Sequence, residues 1–221
     1  MSDRKFLDTR KLVSMALLCV LAYTAVVLSR MLPPITLWLK YDPKDCILAI
    51  GGMLYDPLSA VLMSVVVSFV EYFTVSDTGL IGMLMNILSS LLFILPAAFL
   101  YRRRRTLSAA VIGLAIGVVL ATGGMLLWNW FISPLYTGWE REAIEELLLP
   151  AFLPFNLLKT SLNAVLTVLL YKHVVSALRA AHLVPKSNSP RRRGFSVGVV
   201  LSCLFLLASL ILVWLVWCGV L

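Results

Sequence analysis

Residues 46–74 read CILAIGGMLYDPLSAVLMSVVVSFVEYFT, and whether they form one helix or two decides the topology of the whole chain. A single helix over this stretch overruns a hydrocarbon core about 30 Å thick. Two helices break naturally at Tyr55-Asp56-Pro57, where Pro57 suits the first turn of a helix and Asp56 its N-cap. Charge parity selects between these readings. Residues 79–101 are a clear apolar span that ends in the run Arg102, Arg103, Arg104 and Arg105, which belongs on the cytoplasmic side. The N-terminus is basic too, so an even number of crossings must precede Arg102. One helix over 46–74 makes three crossings and two make four, so the split is predicted. The first of the pair, 46–55, is only about 15 Å long; it must start within the preceding loop, tilt, or fall short of a full span.

The composition demands such an architecture. Hydrophobic residues make up 61% of the 221 and charged residues 14%, against about 45–50% and about 25% in ordinary soluble domains. That excess cannot be buried in one globule of this size, which excludes a soluble enzyme. Period-2 alternation of the barrel type is absent, leaving an all-α polytopic membrane protein. The net charge of +8 does not point to nucleic acid. Fourteen of the 19 Lys and Arg residues fall in three clusters: Arg4, Lys5, Arg10 and Lys11; Arg102 to Arg105; and Lys172, Arg179, Lys186, Arg191, Arg192 and Arg193. They read as positive-inside anchors and lack the aromatic interleaving of a nucleic-acid binder. Cys19, Cys46, Cys203 and Cys218 form no CxxC pair and read as small core hydrophobes. His173 and His182 read as membrane-surface residues.

The remaining crossings follow. Residues 12–28 are a first helix with its N-terminus inside; they lack an A-x-A cleavage site, so they are read as retained. Residues 31–45, MLPPITLWLKYDPKD, form a loop containing Trp38 and Tyr41. The fifth helix spans 106–131, the acidic external segment 133–149, and the sixth helix 147–171. The expected organisation is a six-helix membrane domain over 1–182, a basic cytoplasmic linker over 183–194 and a seventh crossing over 195–221.

Polar groups inside the spans mark the candidate site, because a charge there is costly and functional by default. Lys159 is the one Lys or Arg well inside a predicted span. Asn156 lies three residues before it, on the same helix face, and Pro154 just upstream favours a kinked entry to a cavity. The alternatives for Lys159 are snorkelling to the interface or pairing with Glu71 across the bundle. Asn129, between Trp128 and Trp130, and Asn86, after Gly79 and Gly82, are further amides in spans. Together they imply an outward-facing polar pocket for a planar, uncharged ligand rich in hydrogen-bonding groups. Nothing indicates catalysis: there is no nucleophile with a base, no HExxH, no Walker A loop and no carboxylate pair at metal-ligand spacing.

Four strings occur in order: LKYDPKD at 39–45, GLIGMLMN at 79–86, NWFISPLY at 129–136 and PFNLLK at 154–159. In order and spacing, over about residues 10 to 180, they resemble the riboflavin-specific substrate-binding subunits (S-components) of energy-coupling factor (ECF) transporters. The resemblance implies a six-helix bundle with a pocket near the outer face, capped by the loop between helices one and two. It also implies docking to a transmembrane coupling subunit and two cytoplasmic ATP-binding subunits. The family's flavin-binding asparagine falls on Asn129, and its second asparagine and lysine on Asn156 and Lys159. Leu39, Tyr41, Gly79, Gly82, Met83, Asn86, Trp128 and Phe155 complete the candidate binding set. Riboflavin is then a transported ligand, with FMN as the variant sharing its ring, and no cofactor or metal is expected. Three features depart from the family pattern. Ala16 is followed by Val20 where two small residues four apart usually face the coupling subunit, Asp56-Pro57 replaces a Gly-Pro at helix three, and residues 195–221 lie outside the six-helix plan. An S-component for another vitamin is the near alternative. An intramembrane enzyme using the glutamates between 140 and 146 is a more distant one, since no histidine partner lies near them.

Overall fold

In the computed structural model, the described residues are 9–184, apart from 33, 36–38 and 77–78, together with Cys203 and Ala208. The elements are α1 (Thr9–Ser29), α2 (Lys44–Leu54), α3 (Pro57–Thr74), α4 (Gly79–Arg104), α5 (Leu107–Thr137), α6 (Arg141–Leu147), a π-helical turn (Leu148–Phe152) and α7 (Leu153–Ala180). Apart from Cys203 and Ala208, the expected seventh crossing lies outside the described residues, as does most of the linker.

The expected break at Asp56 is present. Asp56 is extended and its carboxylate accepts from the Ser59 N–H, while Pro57 opens α3. The other carboxylate oxygen accepts from Lys11 Nζ at 2.6 Å. This pair ties the α2–α3 junction to the start of α1. The same end of the bundle holds the hydroxyl contact between Tyr101 and Tyr171 at 2.9 Å, at the close of α4 and in α7.

The shortness of α2 is resolved by where it sits. It has 11 residues, nine of them buried, and packs against α1, α3, α4 and α7. Backbone that does not span the membrane is tolerated at membrane depth when protein surrounds it. Leu48 and Ala49 of α2 join Leu18 and Ala22 of α1, Met63 and Val67 of α3, and Phe93 and Ile94 of α4 in one core. Outward residues such as Phe73, Val119 and Leu127 are exposed and form an apolar exterior. By length and composition α1, α3, α4, α5 and the helical run ending in α7 can cross a membrane.

Helix α5 runs further than expected. Thr106 caps it by accepting from the Ala109 N–H. It then continues past Pro134 to Thr137, where Gly138 takes a left-handed conformation at φ 71° and ends it. Its contact with α4 is backbone to backbone. A Cβ on Gly113 would stand 2.5 Å from Ala97 Cα, and one on Gly117 would collide with the Phe93 carbonyl oxygen. Small residues four apart permit this approach. Gly123, six residues on, has open space around it. The two positions therefore respond oppositely to alanine. Gly117→Ala loses more to overpacking, about 1–3 kcal/mol, than it gains in helix propensity, about 1 kcal/mol. Gly123→Ala gains the propensity alone. Thermal unfolding in detergent checks this: the midpoint falls for Gly117→Ala and holds or rises for Gly123→Ala.

Candidate ligand-binding site

Three helices, the α1–α2 loop and the segment after α3 enclose a cavity of about 240 Å³, a volume suited to a small molecule rather than a polymer. Arg30 lines it from just beyond α1. Leu39, Lys40, Tyr41 and Asp42 line it from the loop, and Ser76 from beyond α3. Met85, Asn86 and Ser89 come from α4, Met125 and Asn129 from α5, and Phe155, Asn156 and Lys159 from α7.

The amides are held by their own helices. Asn129 Nδ2 donates to the Met125 carbonyl at 2.7 Å, and its Oδ1 accepts from Ser133 Oγ at 2.9 Å. Asn156 Nδ2 donates to the Phe152 carbonyl at 2.8 Å. Phe152 closes the π-helical turn, which lies where Pro150 and Pro154 stand four apart. A proline removes the N–H that would pair with the carbonyl four residues earlier and crowds that carbonyl; the wide turn relieves both effects. Each amide nitrogen carries two hydrogens and the backbone takes one, so a donor remains for a ligand. Lys159 is 8% exposed, and among the described residues no carboxylate oxygen lies within 4 Å of its Nζ.

Lys44, not Lys159, pairs with Glu71. Its Nζ lies 2.8 and 2.6 Å from the two Glu71 oxygens and 3.0 Å from Asp42 Oδ2. Lys44 and Glu71 are both 1% exposed. Asn86 Nδ2 also donates to Glu71, at 3.2 Å, and Ser90 Oγ donates to the neighbouring buried Asp45. Asn163 Nδ2 of α7 donates to the Asp42 backbone carbonyl at 2.9 Å. The loop is thus pinned to α3 and α7 at once. Burial raises the pKa of the Asp42 carboxyl, but the ammoniums of Lys44 and Lys159 outweigh it and hold the group below its ordinary value. The Tyr41 hydroxyl is buried without a partner among the described residues. Burial first, then Cys46, Asp42 and Asp45, push its pKa up, so it is a neutral phenol able to donate.

The model of the family "ECF transporter, substrate-specific component" matches residues 10–171. The chain belongs to this family of S-components. It is 26% identical over 189 residues to the riboflavin transporter FmnP of Bacillus subtilis (strain 168), covering 80% of this chain and 100% of the relative. The riboflavin transporter RibU of Staphylococcus aureus (strain TCH60) is 22% identical over 179 residues, covering 78% and 94%. A solved structure of the S component of a bacterial ECF transporter superposes with a TM-score of 0.63 at 22% identity, covering 77% of this chain and 98% of that one. The fold is shared, and the protein is a multi-pass membrane protein of a transport family.

Of the residues expected from sequence, Leu39, Tyr41, Asn86, Asn129, Phe155, Asn156 and Lys159 line this S-component's cavity. Gly79, Gly82, Met83 and Trp128 do not. The first three share a face with Asn86 but sit one or two turns nearer the start of α4. Gly79 instead serves the entry to α4, at φ 63°. Trp128 is one position from Asn129, about 100° around the helix, and its Nε1 is buried without a partner among the described residues. The sequence reading missed Arg30, Lys40, Asp42, Ser76, Met85, Ser89 and Met125. Met125 and Ser89 were findable, being one turn from Asn129 and Asn86 on the same faces. The loop charges carried no such signal.

The buried ion pair makes a prediction for this site. Removing one partner strands the other charge, at about 3–5 kcal/mol. Lys44→Met should therefore lower the unfolding midpoint in detergent sharply, and adding Glu71→Met should restore much of the loss. A double variant worse than Lys44→Met alone would show that the cost lies in packing rather than charge.

Proposed function

We propose that this S-component binds riboflavin from the outer face and delivers it for ATP-driven uptake. The carrying observation is the convergence of Asn129, Asn156 and Lys159 on one buried cavity wall, together with relatives named as riboflavin transporters. The pyrimidine edge of the isoalloxazine ring alternates acceptor, donor and acceptor, which amides match by offering both donors and acceptors. Lys159 donates a charge-assisted bond to a ring carbonyl or ribityl oxygen, and the Tyr41 hydroxyl adds a further donor. Leu39, Met85, Met125 and Phe155 offer apolar surface to the tricycle.

The chain carries no nucleotide-binding motif, so accumulation depends on partners: a transmembrane coupling subunit and two ATP-binding subunits. Ala16 and Val20 are exposed on α1, as a docking face requires. The basic clusters favour a cytoplasmic N-terminus. Residues 195–221 are read as an accessory crossing, and a truncation after Pro185 that inserts correctly should leave flavin binding nearly intact.

Parent protein purified in detergent should be yellow and should quench riboflavin fluorescence on titration. Asn129→Ala and Asn156→Ala each leave a ligand group unpaired in a dry site, at about 1–3 kcal/mol. Lys159→Ala loses a charge-assisted bond and weakens binding by roughly one to two orders of magnitude. If all three variants bind like the parent, the flavin site is elsewhere; if the parent binds no flavin, the ligand is another vitamin.

A further inference from the structure

The basic end of the bundle holds a second cluster, which flavin recognition does not use. Tyr101 lies there, about 18 Å of helix beyond the cavity-lining Ser89. Its hydroxyl meets that of Tyr171 at 2.9 Å, with the two rings edge to face at 5.7 Å. One of the two O–H hydrogens makes this bond and the other remains to donate. Arg105 closes α4, its N–H donating to the Tyr101 carbonyl at 2.8 Å, and Arg179 stands eight residues after Tyr171 on α7. Both guanidiniums lie near enough for their charges to act on the Tyr171 hydroxyl. Among the described residues no carboxylate oxygen lies within 4 Å of either. Arg179 Nε is buried without a partner among them, and a buried N–H left unpaired is costly. Arg105 takes a left-handed φ of 47°, where glycine is the unstrained choice. Strain of this kind collects at ligand clamps.

We propose that Arg105 and Arg179, together with the Tyr101 and Tyr171 hydroxyls, form a site for the phosphate of an anionic phospholipid in the leaflet at this end. A guanidinium is a planar fork that matches two phosphate oxygens at once. The phosphate gives the Arg179 Nε–H the acceptor it lacks, and the spare phenol hydrogen adds a neutral donor. Depth selects a lipid as the source. Arg105 follows and Arg179 closes helices long and apolar enough to cross a membrane, which sets both at headgroup level. Phosphate is the anion that every leaflet carries there, and basic pockets between transmembrane helices take up anionic headgroups. Arg102, Arg103 and Arg104 are exposed and draw any anion to this surface, whereas the converging pair and the phenols supply geometry. The site stands apart from the flavin cavity and does not depend on it.

The test titrates the full chain in detergent with a short-chain phosphatidylglycerol, the matching phosphatidylcholine and inorganic phosphate, and follows the unfolding midpoint. Phosphatidylglycerol should raise the midpoint of the parent and phosphatidylcholine, whose phosphate is neutralised by its own ammonium, should raise it little. Arg105→Gln and Arg179→Gln should each weaken phosphatidylglycerol binding roughly fivefold, and the double variant roughly twentyfold or more. Arg102→Gln with Arg103→Gln removes as much charge from the same surface and should shift it less than about threefold. Each midpoint is compared with that of the same variant without lipid, so altered folding stability does not enter. Should Arg179→Gln not fold, Arg105→Gln at its exposed position decides against the same control. Equal responses of the parent to the two lipids, or equal losses in control and site variants, would overturn the site. A parent stabilised as strongly by inorganic phosphate at the same concentration keeps the phosphate site and overturns its assignment to a lipid.

Discussion

The Lys44 ammonium, held between both Glu71 oxygens and Asp42, is the constraint on which this bundle's outer half depends. A short helix whose first residues are Lys44 and Asp45 cannot sit among apolar helices unless those charges are met, because an unpaired buried charge is far more costly than a paired one. Glu71 of α3 and Ser90 of α4 meet them. Once they do, α2 need not reach across a membrane by itself, and the chain before it is drawn over the bundle. The loop that carries Tyr41 and Asp42 thereby becomes a wall of the cavity. Through Asn86, which donates to the same Glu71, the ion pair also orients a side chain on the facing helix. Stability and site geometry share one set of atoms.

The opposite wall is organised by backbone rather than by charge. Gly113 and Gly117 let α5 lie directly on α4, and the π-helical turn before α7 brings the Phe152 carbonyl under Asn156. Both asparagines commit one donor to a carbonyl four residues earlier, so their orientation is set before any ligand arrives. Such preorganisation reduces the ordering cost of binding. Thr122 of α5 and Thr160 of α7, 3.4 Å apart through their hydroxyls, hold the two asparagine-bearing helices together just beneath.

Because S-components share a scaffold, the pocket decides the ligand. In this chain the pocket is divided by chemistry: amides and Lys159 on α5 and α7, apolar side chains between, and cations at the loop.

The break between α2 and α3 was legible in the sequence because the Asp56-Pro57 cap is a local property that needs no knowledge of packing. The shared face of Asn156 and Lys159 was legible for the same reason, since helix periodicity fixes it. Partnerships between distant elements were not. Glu71 was offered to Lys159 as one possible partner, because both stand in apolar spans, yet it is met by Lys44, which sequence assigned to a loop. Gly79, Gly82 and Met83 share the α4 face of Asn86 but do not line the cavity, because a shared helix face does not fix axial position. Arg30 and Lys40 looked like ordinary loop charges until that loop was placed. The sequence by itself determined where the apolar helices of the described residues run, that the chain breaks at Asp56-Pro57 and which polar residues share a face, while α6 and the π-helical turn lay hidden in a segment read as external. Only the tertiary structure decided which of them meet, because the axial shift of each helix is set by satisfying buried charges and close backbone contacts contributed by several helices at once.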